Sequence, residues 1–136
     1  MSPASCLCCA LFIETMDAQK YLDRSYGQPP CWELVADVYQ TEFGSDVGHY
    51  AVVTDSIREA AQKFALHLAT DPHGFARLSE PVEGCVVLLG SPRAGLHHAG
   101  VYSAGKLLHA LRDSVMLEPL ESVADRYKII EYWGRP

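Results

Sequence analysis

The chain has 136 residues, of which 49% are hydrophobic, 21% charged and 10% aromatic. That length suits one domain with its own core, and the composition lies outside the disordered, collagenous and membrane classes. Eleven Lys and Arg stand against seventeen Asp and Glu, a net charge of −6 with no basic run. This argues against a nucleic-acid partner, because tracking a phosphate backbone needs a positive stripe to displace counterions.

The chain opens on an apolar segment, Cys6 to Ile13, that holds Cys6, Cys8 and Cys9. It is too short to cross a membrane, has no Lys or Arg before it and meets Glu14 and Asp17 at once, so core is expected rather than a signal peptide or a membrane contact. With no signal peptide, synthesis in the cytoplasm is expected. Five cysteines are an odd number, unlike a secreted disulfide framework. Cys6-Leu7-Cys8-Cys9 also lacks the spacer that lets two thiolates bend round one tetrahedral ion, so no metal is expected. Cys6, Cys8, Cys9 and Cys85 therefore read as small buried hydrophobes.

Asp17 to Tyr26 predicts a short helix, and Gly27-Gln28-Pro29-Pro30 then forces a turn. From Cys31 to Phe43 the apolar residues Trp32, Leu34, Val35, Val38, Tyr39 and Phe43 recur at helical spacing, with Glu33 and Asp37 early and Gly44 as the stop. Thr54-Asp55-Ser56 with Glu59 forms a capping box for a second helix that buries Ile57, Ala60, Ala61, Phe64 and Leu68 and ends before Asp71-Pro72. His49, His67 and His73 lie in or beside this region. His67, near the helix C-terminus, suits the dipole as a cation, and none of the three has a chemical partner in sequence. The second half changes period. Val86–Leu89, His98–Tyr102, Leu107–Ala110, Val115–Leu117 and Tyr127–Tyr132 are short β-rich runs with gaps too small for crossover helices. The expectation is one α+β domain over 1–136, with N-terminal helices packed on an antiparallel sheet of about five strands.

Cys31 carries the chemistry. At a helix start, unpaired amides and the positive end of the dipole stabilise a thiolate and lower the thiol pKa, and the same amides can hold an oxyanion. His98-Ala99-Gly100-Val101-Tyr102 and Leu107-Leu108-His109-Ala110 flank Ser103-Ala104-Gly105-Lys106 as a β-hairpin. A two-residue loop sets His98 diagonal to His109 on one face, and a four-residue loop sets them directly opposite. A three-residue loop brings His97 to that face instead. One imidazole would take the proton from Cys31, and the other would fix its tautomer.

Cys31-Trp32-Glu33-Leu34-Val35 and Val38-Tyr39-Gln40-Thr41-Glu42-Phe43-Gly44 resemble the nucleophile helix of the NlpC family of papain-like cysteine peptidases, especially its phage tail-assembly branch. Pro81 to Leu89 is similar to the strand before the family's histidine, His98-Ala99-Gly100-Val101-Tyr102 to its His-x-Gly-x-Tyr strand, and Leu108-His109-Ala110 to the strand of its third polar residue. Val115 to Leu120 and the ending Tyr132-Trp133-Gly134-Arg135-Pro136 are similar to the tail-associated branch, and the likeness runs from about Tyr21 to Pro136. It implies a papain-like α+β fold with Cys31 as nucleophile, His98 as base, His109 as its orienting partner and no cofactor. It further implies cleavage of cell-wall peptidoglycan stem peptides between D-glutamate and a diamino acid, and association with phage tail proteins. Two positions depart from the pattern: Pro30 stands where most members have Asp, and Cys85 follows Gly84 where Asp is usual. Tyr26 and Trp32 are the substrate-side candidates, Tyr26 (or Tyr21) for an oxyanion-hole tyrosine that members carry farther upstream and Trp32 as a cleft wall or a core aromatic. Two other classes fit the same residues: a non-catalytic tail assembly or structural protein, and an amide or acyl hydrolase or transferase on another substrate, since a triad does not define its acyl group.

Overall fold

Proline at the first turn of a helix gives up an N–H that would have no partner there, and α1, Pro30–Phe43, begins on such a residue. The computed structural model describes residues 15–26, 30–47, 75–111 and 114–134. α1 ends where Gly44 enters the left-handed region at φ 64°. The Gly44 N–H donates to the Gln40 carbonyl, the bond of an αL cap, and the Ser45 N–H reaches back to the Tyr39 carbonyl. Leu34, Val35, Val38 and Tyr39 are buried along one face of α1 while Gln40 and Thr41 face solvent.

The strands are β1 (Ala76–Leu78), β2 (Val86–Ser91), β3 (Gly95–Ser103), β4 (Lys106–Ala110), β5 (Val115–Pro119) and β6 (Ile129–Gly134), with helix α2 (Leu120–Tyr127) between the last two. They form one antiparallel sheet in the order β1-β6-β2-β3-β4-β5. Alternation along the strands sends Val86, Leu88, Ala99, Val101, Leu108 and Ala110 to the α1 side. Val87, Leu89 and Leu107 go to the other side, where they meet Val123 of α2. β2 is therefore covered on both faces and reads as a continuous apolar run. Because β6 pairs with β1 and β2 while β5 lies at the far edge, the chain must travel across the sheet between them. α2 lies in that crossing, over the face opposite α1.

The α+β expectation stands, with three differences. The sheet has six strands, because Ala76–Leu78 pairs with β6 through partners far away in sequence. Helices do not all precede strands: α2 follows β5, and Tyr127, expected in the last strand, closes that helix. Asp17 to Tyr26 forms only a single 3₁₀ turn, Ala18–Tyr21, capped by the Asp17 carboxylate accepting from the Gln19 N–H at 3.2 Å. The helix expected over Thr54 to Leu68, Cys6, Cys8, Cys9, His49, His67 and His73 lie outside the described residues. Cys85 is buried against Val87 and Leu89, as expected of a small hydrophobe.

The β3–β4 hairpin is held at its tip. Ser103 pairs with Lys106, leaving a two-residue loop in which Ala104 and Gly105 both have positive φ, 50° and 81°. This backbone matches the twist of the flanking strands. Glu83 anchors the tip, its carboxylate accepting from the Ser103 hydroxyl at 2.7 Å and the Ala104 N–H at 2.9 Å.

Candidate active site

Cys31 is the second residue of α1, where backbone N–H groups have no partner within the helix. The backbone N–H groups of Ala99, Trp32 and Cys31 itself act on its thiol and pull its pKa down. The Ala99 N–H is free to do so for a topological reason. The Tyr102 N–H donates to Cys85 of β2, so along β3 the odd-numbered residues turn their N–H groups the other way, toward β4. The register of β3 with β4 stops at Val101 opposite Leu108, and Ala99 lies beyond that point. The helix start is thus seated where the two strands part.

Burial outweighs these donors. Cys31 is 9% exposed, and loss of water raises its thiol pKa above the ordinary value, with the three N–H groups pulling the other way. The expected lowering by the helix start is therefore overturned: desolvation of the charged form exceeds what the amides supply. At neutral pH the thiol is protonated and needs a base.

The two-residue hairpin loop puts Gly100 opposite His109 and His98 diagonal to it. Across that diagonal His98 Nε2 and His109 Nδ1 are 2.8 Å apart. Gly100 makes the approach possible, since a Cβ there would lie 2.7 Å from the Leu108 carbonyl oxygen and 3.1 Å from His109 Cβ. His97 does not share this bond. The β2–β3 register slips between Leu89, opposite His98, and Gly90, opposite Leu96. The bulge leaves His97 as the extra residue. Its Nδ1–H donates to the Gly95 carbonyl at 3.0 Å, and its ring rests 5.8 Å from that of Tyr127.

Both paired imidazoles are buried, His98 8% exposed and His109 not at all. Desolvation lowers the His98 pKa to about 3, and the neighbouring His109 adds to the effect. His109 is also lowered by burial, against the opposing pull of Glu118. Both rings are neutral at pH 7. His109 Nε2 lies 2.6 Å from Glu118 Oε2, and the Arg126 guanidinium grips that carboxylate at 3.2 and 2.9 Å. Arg126 holds the Glu118 carboxyl below its usual range. Tyr127 stacks on His98, with ring centroids 5.4 Å apart and planes 7° from parallel. Burial raises its phenol pKa, Arg126 pulls it down, and Cys31 and Glu118 add to the rise.

The substrate-side candidates are placed differently. The Tyr26 hydroxyl donates to Asp37 Oδ2 at 2.6 Å, beside Arg24 Nη1, also at 2.6 Å from that oxygen. Asp37 lies more than a turn along α1 from Cys31. Trp32 is buried in the core between α1 and the sheet. Two cavities among the described residues, of about 410 and 390 Å³, both include Phe43 in their walls. They therefore flank the far end of α1, about 18 Å from Cys31 at 1.5 Å per residue. Among the described residues no group of three His, Cys, Asp or Glu side chains is set to hold a metal ion.

Sequence reasoning chose Cys31, His98 and His109 and did not pick out Glu118 and Tyr127, which the structure sets against the two histidines, or Arg126, which holds Glu118. The register explains Glu118. Met116 is opposite His109 and Glu118 opposite Leu107, so Glu118 lies diagonal to His109 on the same face, a relation hidden until the β4–β5 pairing is known.

No protein-family profile matches the sequence, and no curated protein matches it. Among solved structures, the crystal structure of the NlpC/p60 domain of the peptidoglycan hydrolase SagA is similar, with a TM-score of 0.52 and 21% sequence identity. The alignment covers 85% of this chain and 91% of that one. The chain therefore has an NlpC/p60-type fold.

Proposed function

We propose that this protein is a cysteine peptidase that hydrolyses peptidoglycan stem peptides, of the type acting between D-glutamate and a diamino acid. Cys31 is the nucleophile, His98 the base and His109 the residue that orients the base. The observation that carries the reading is the 2.8 Å His98–His109 bond, on a strand whose next residue, Ala99, acts on the Cys31 thiol through its N–H. The likeness to a domain of a peptidoglycan hydrolase supports the substrate class. Association with a phage tail rests on the sequence resemblance.

With thiol and imidazole both neutral at rest, attack and proton transfer are coupled. The sulfur bonds to the amide carbonyl carbon while its proton passes to His98 Nδ1, and the oxygen takes the negative charge. N–H groups at the start of α1 supply stabilisation for that charge. The C–N bond then breaks, and His98 returns the proton to the leaving amine. Water next gives a proton to His98 as its oxygen bonds to the thioester carbon. The C–S bond breaks, releasing the acid, and the sulfur recovers its proton. Such general acid–base assistance contributes about 10²–10⁴ in rate.

One observation favours a second reading, a tail assembly protein that keeps the scaffold without hydrolysis: Cys31 is 9% exposed and its thiol pKa is raised. Cleavage separates the two. Stem-peptide cleavage by the wild type that is lost in Cys31→Ala supports the peptidase. No cleavage by the folded wild type supports the assembly protein.

A further inference from the structure

A carboxylate can only accept hydrogen bonds, a guanidinium can only donate them, and a neutral imidazole does one at each nitrogen. Applied to the chain Arg126–Glu118–His109–His98, these rules leave no freedom. Arg126 donates to both oxygens of Glu118, so the carboxylate is ionised. His109 Nε2, 2.6 Å from Glu118 Oε2, must then carry the proton, which leaves His109 Nδ1 as an acceptor. His98 Nε2, 2.8 Å from that nitrogen, must donate to it, and His98 Nδ1 is left with a free lone pair.

We infer that Glu118, clamped by Arg126, is a positioning residue that sets the tautomers of both histidines and so makes His98 Nδ1 the basic nitrogen. This rests on the reading of His98 as the base of a cysteine peptidase. Glu118 touches neither substrate nor thiol and acts only through His109. Its place on the edge strand β5 sets it beside α2, which brings Arg126 to it.

The consequence of removing the charge follows from Arg126. In Glu118→Gln the guanidinium claims the single amide oxygen, because it has no use for an NH₂ group. The NH₂ turns to His109 Nε2, which must now accept. His109 Nδ1 then holds the proton and donates to His98 Nε2, and His98 carries its own proton on Nδ1, where it cannot act as a base. In Glu118→Gln with Arg126→Met the amide is free to rotate, and its oxygen again accepts from His109 Nε2–H.

The test is the ¹⁵N NMR spectrum of the imidazoles at pH 7 in the full chain, recorded beside stem-peptide cleavage. The wild type is expected to show His98 and His109 protonated on Nε2 and His97 protonated on Nδ1, the last set by its bond to Gly95. Glu118→Gln is expected to invert His98 and His109 and leave His97 alone. Its kcat should fall by about 10²–10⁴, with KM within about threefold because no substrate contact is removed. The double variant should restore the wild-type tautomers and much of the rate. A proton on His98 Nδ1 in the wild type overturns the inference, and that reading stands even where Glu118→Gln fails to fold. Unchanged tautomers in a folded Glu118→Gln overturn it too. The spectrum needs no substrate, so a protein with the expected tautomers but no stem-peptide cleavage refutes the peptidase reading and leaves the proton arrangement intact.

Discussion

A methyl group at residue 100 would strike the backbone of β4. An alanine Cβ there lies 2.7 Å from the Leu108 carbonyl oxygen, 2.8 Å from Leu107 Cδ1 and 3.1 Å from His109 Cβ. The leucine methyl can rotate away, but the carbonyl oxygen and the His109 Cβ move only with the strand. Reaching an ordinary separation of about 3.5 Å requires β4 to retreat by about 0.8 Å. The 2.8 Å bond between His98 and His109 would stretch to about 3.6 Å, beyond hydrogen-bond range. Overpacking of this kind costs about 1–3 kcal/mol, and a buried imidazole left unpaired adds about 1–3 kcal/mol. Gly100→Ala should therefore lose about 2–6 kcal/mol in urea unfolding, with the slope of the transition unchanged. It should also lose the His98–His109 bond, read from the imidazole ¹⁵N shifts. A variant as stable as the wild type, with that bond intact, would refute the claim that close approach at Gly100 builds the histidine pair.

Other outcomes follow from burial and charge. The His98 pKa, lowered from 6.5 to about 3, means that the unfolded chain binds the extra proton between those limits. Stability is then fully present above pH 6.5 and falls as pH drops, by about 2 kcal/mol for this group between pH 6.5 and 5. The lowered His109 acts in the same direction; unfolding curves equal at pH 7.5 and 5 would contradict both. Asp37 is held below the ordinary aspartate value of 3.8: burial would raise it, but bonds from Tyr26, Arg24 and Thr41 prevail. Its contribution is present above pH 3.8 and lost as pH falls through the lowered value. Asp37→Asn should thus be less stable at pH 6, with the gap closing in acid, and a gap constant with pH would show that the carboxylate charge is not what Tyr26 and Arg24 hold.

α1 was legible because Leu34, Val35, Val38 and Tyr39 repeat at helical spacing and Gly44 supplies the left-handed stop. The hairpin was legible as a hairpin, but its loop length was not. Ala104 takes a positive φ of 50° that sequence assigns more readily to Gly, Asn or Asp, and three loop lengths stayed open until the register closed them. β1 escaped notice because its three partly exposed residues are held by β6 and not by local pattern. α2 escaped because it spans only eight residues, begins after Pro119 with no side-chain cap and fully buries only Val123. Tyr127 was then drawn into the apolar run of β6. Glu118 could not be chosen from other surface carboxylates without the β4–β5 register. The direction of the Cys31 shift differs from the sequence reading for a related reason: the helix start is local and visible, whereas burial is set by how α1 packs over the face of β3 and β4.

The decisive comparison is wild-type protein against Cys31→Ala on purified peptidoglycan, with the released fragments weighed by mass spectrometry. A Cys31 nucleophile served by His98 predicts fragments ending at a newly formed carboxyl group within the stem peptide for the wild type, and none for Cys31→Ala. The same fragments at the same rate from both proteins would contradict it.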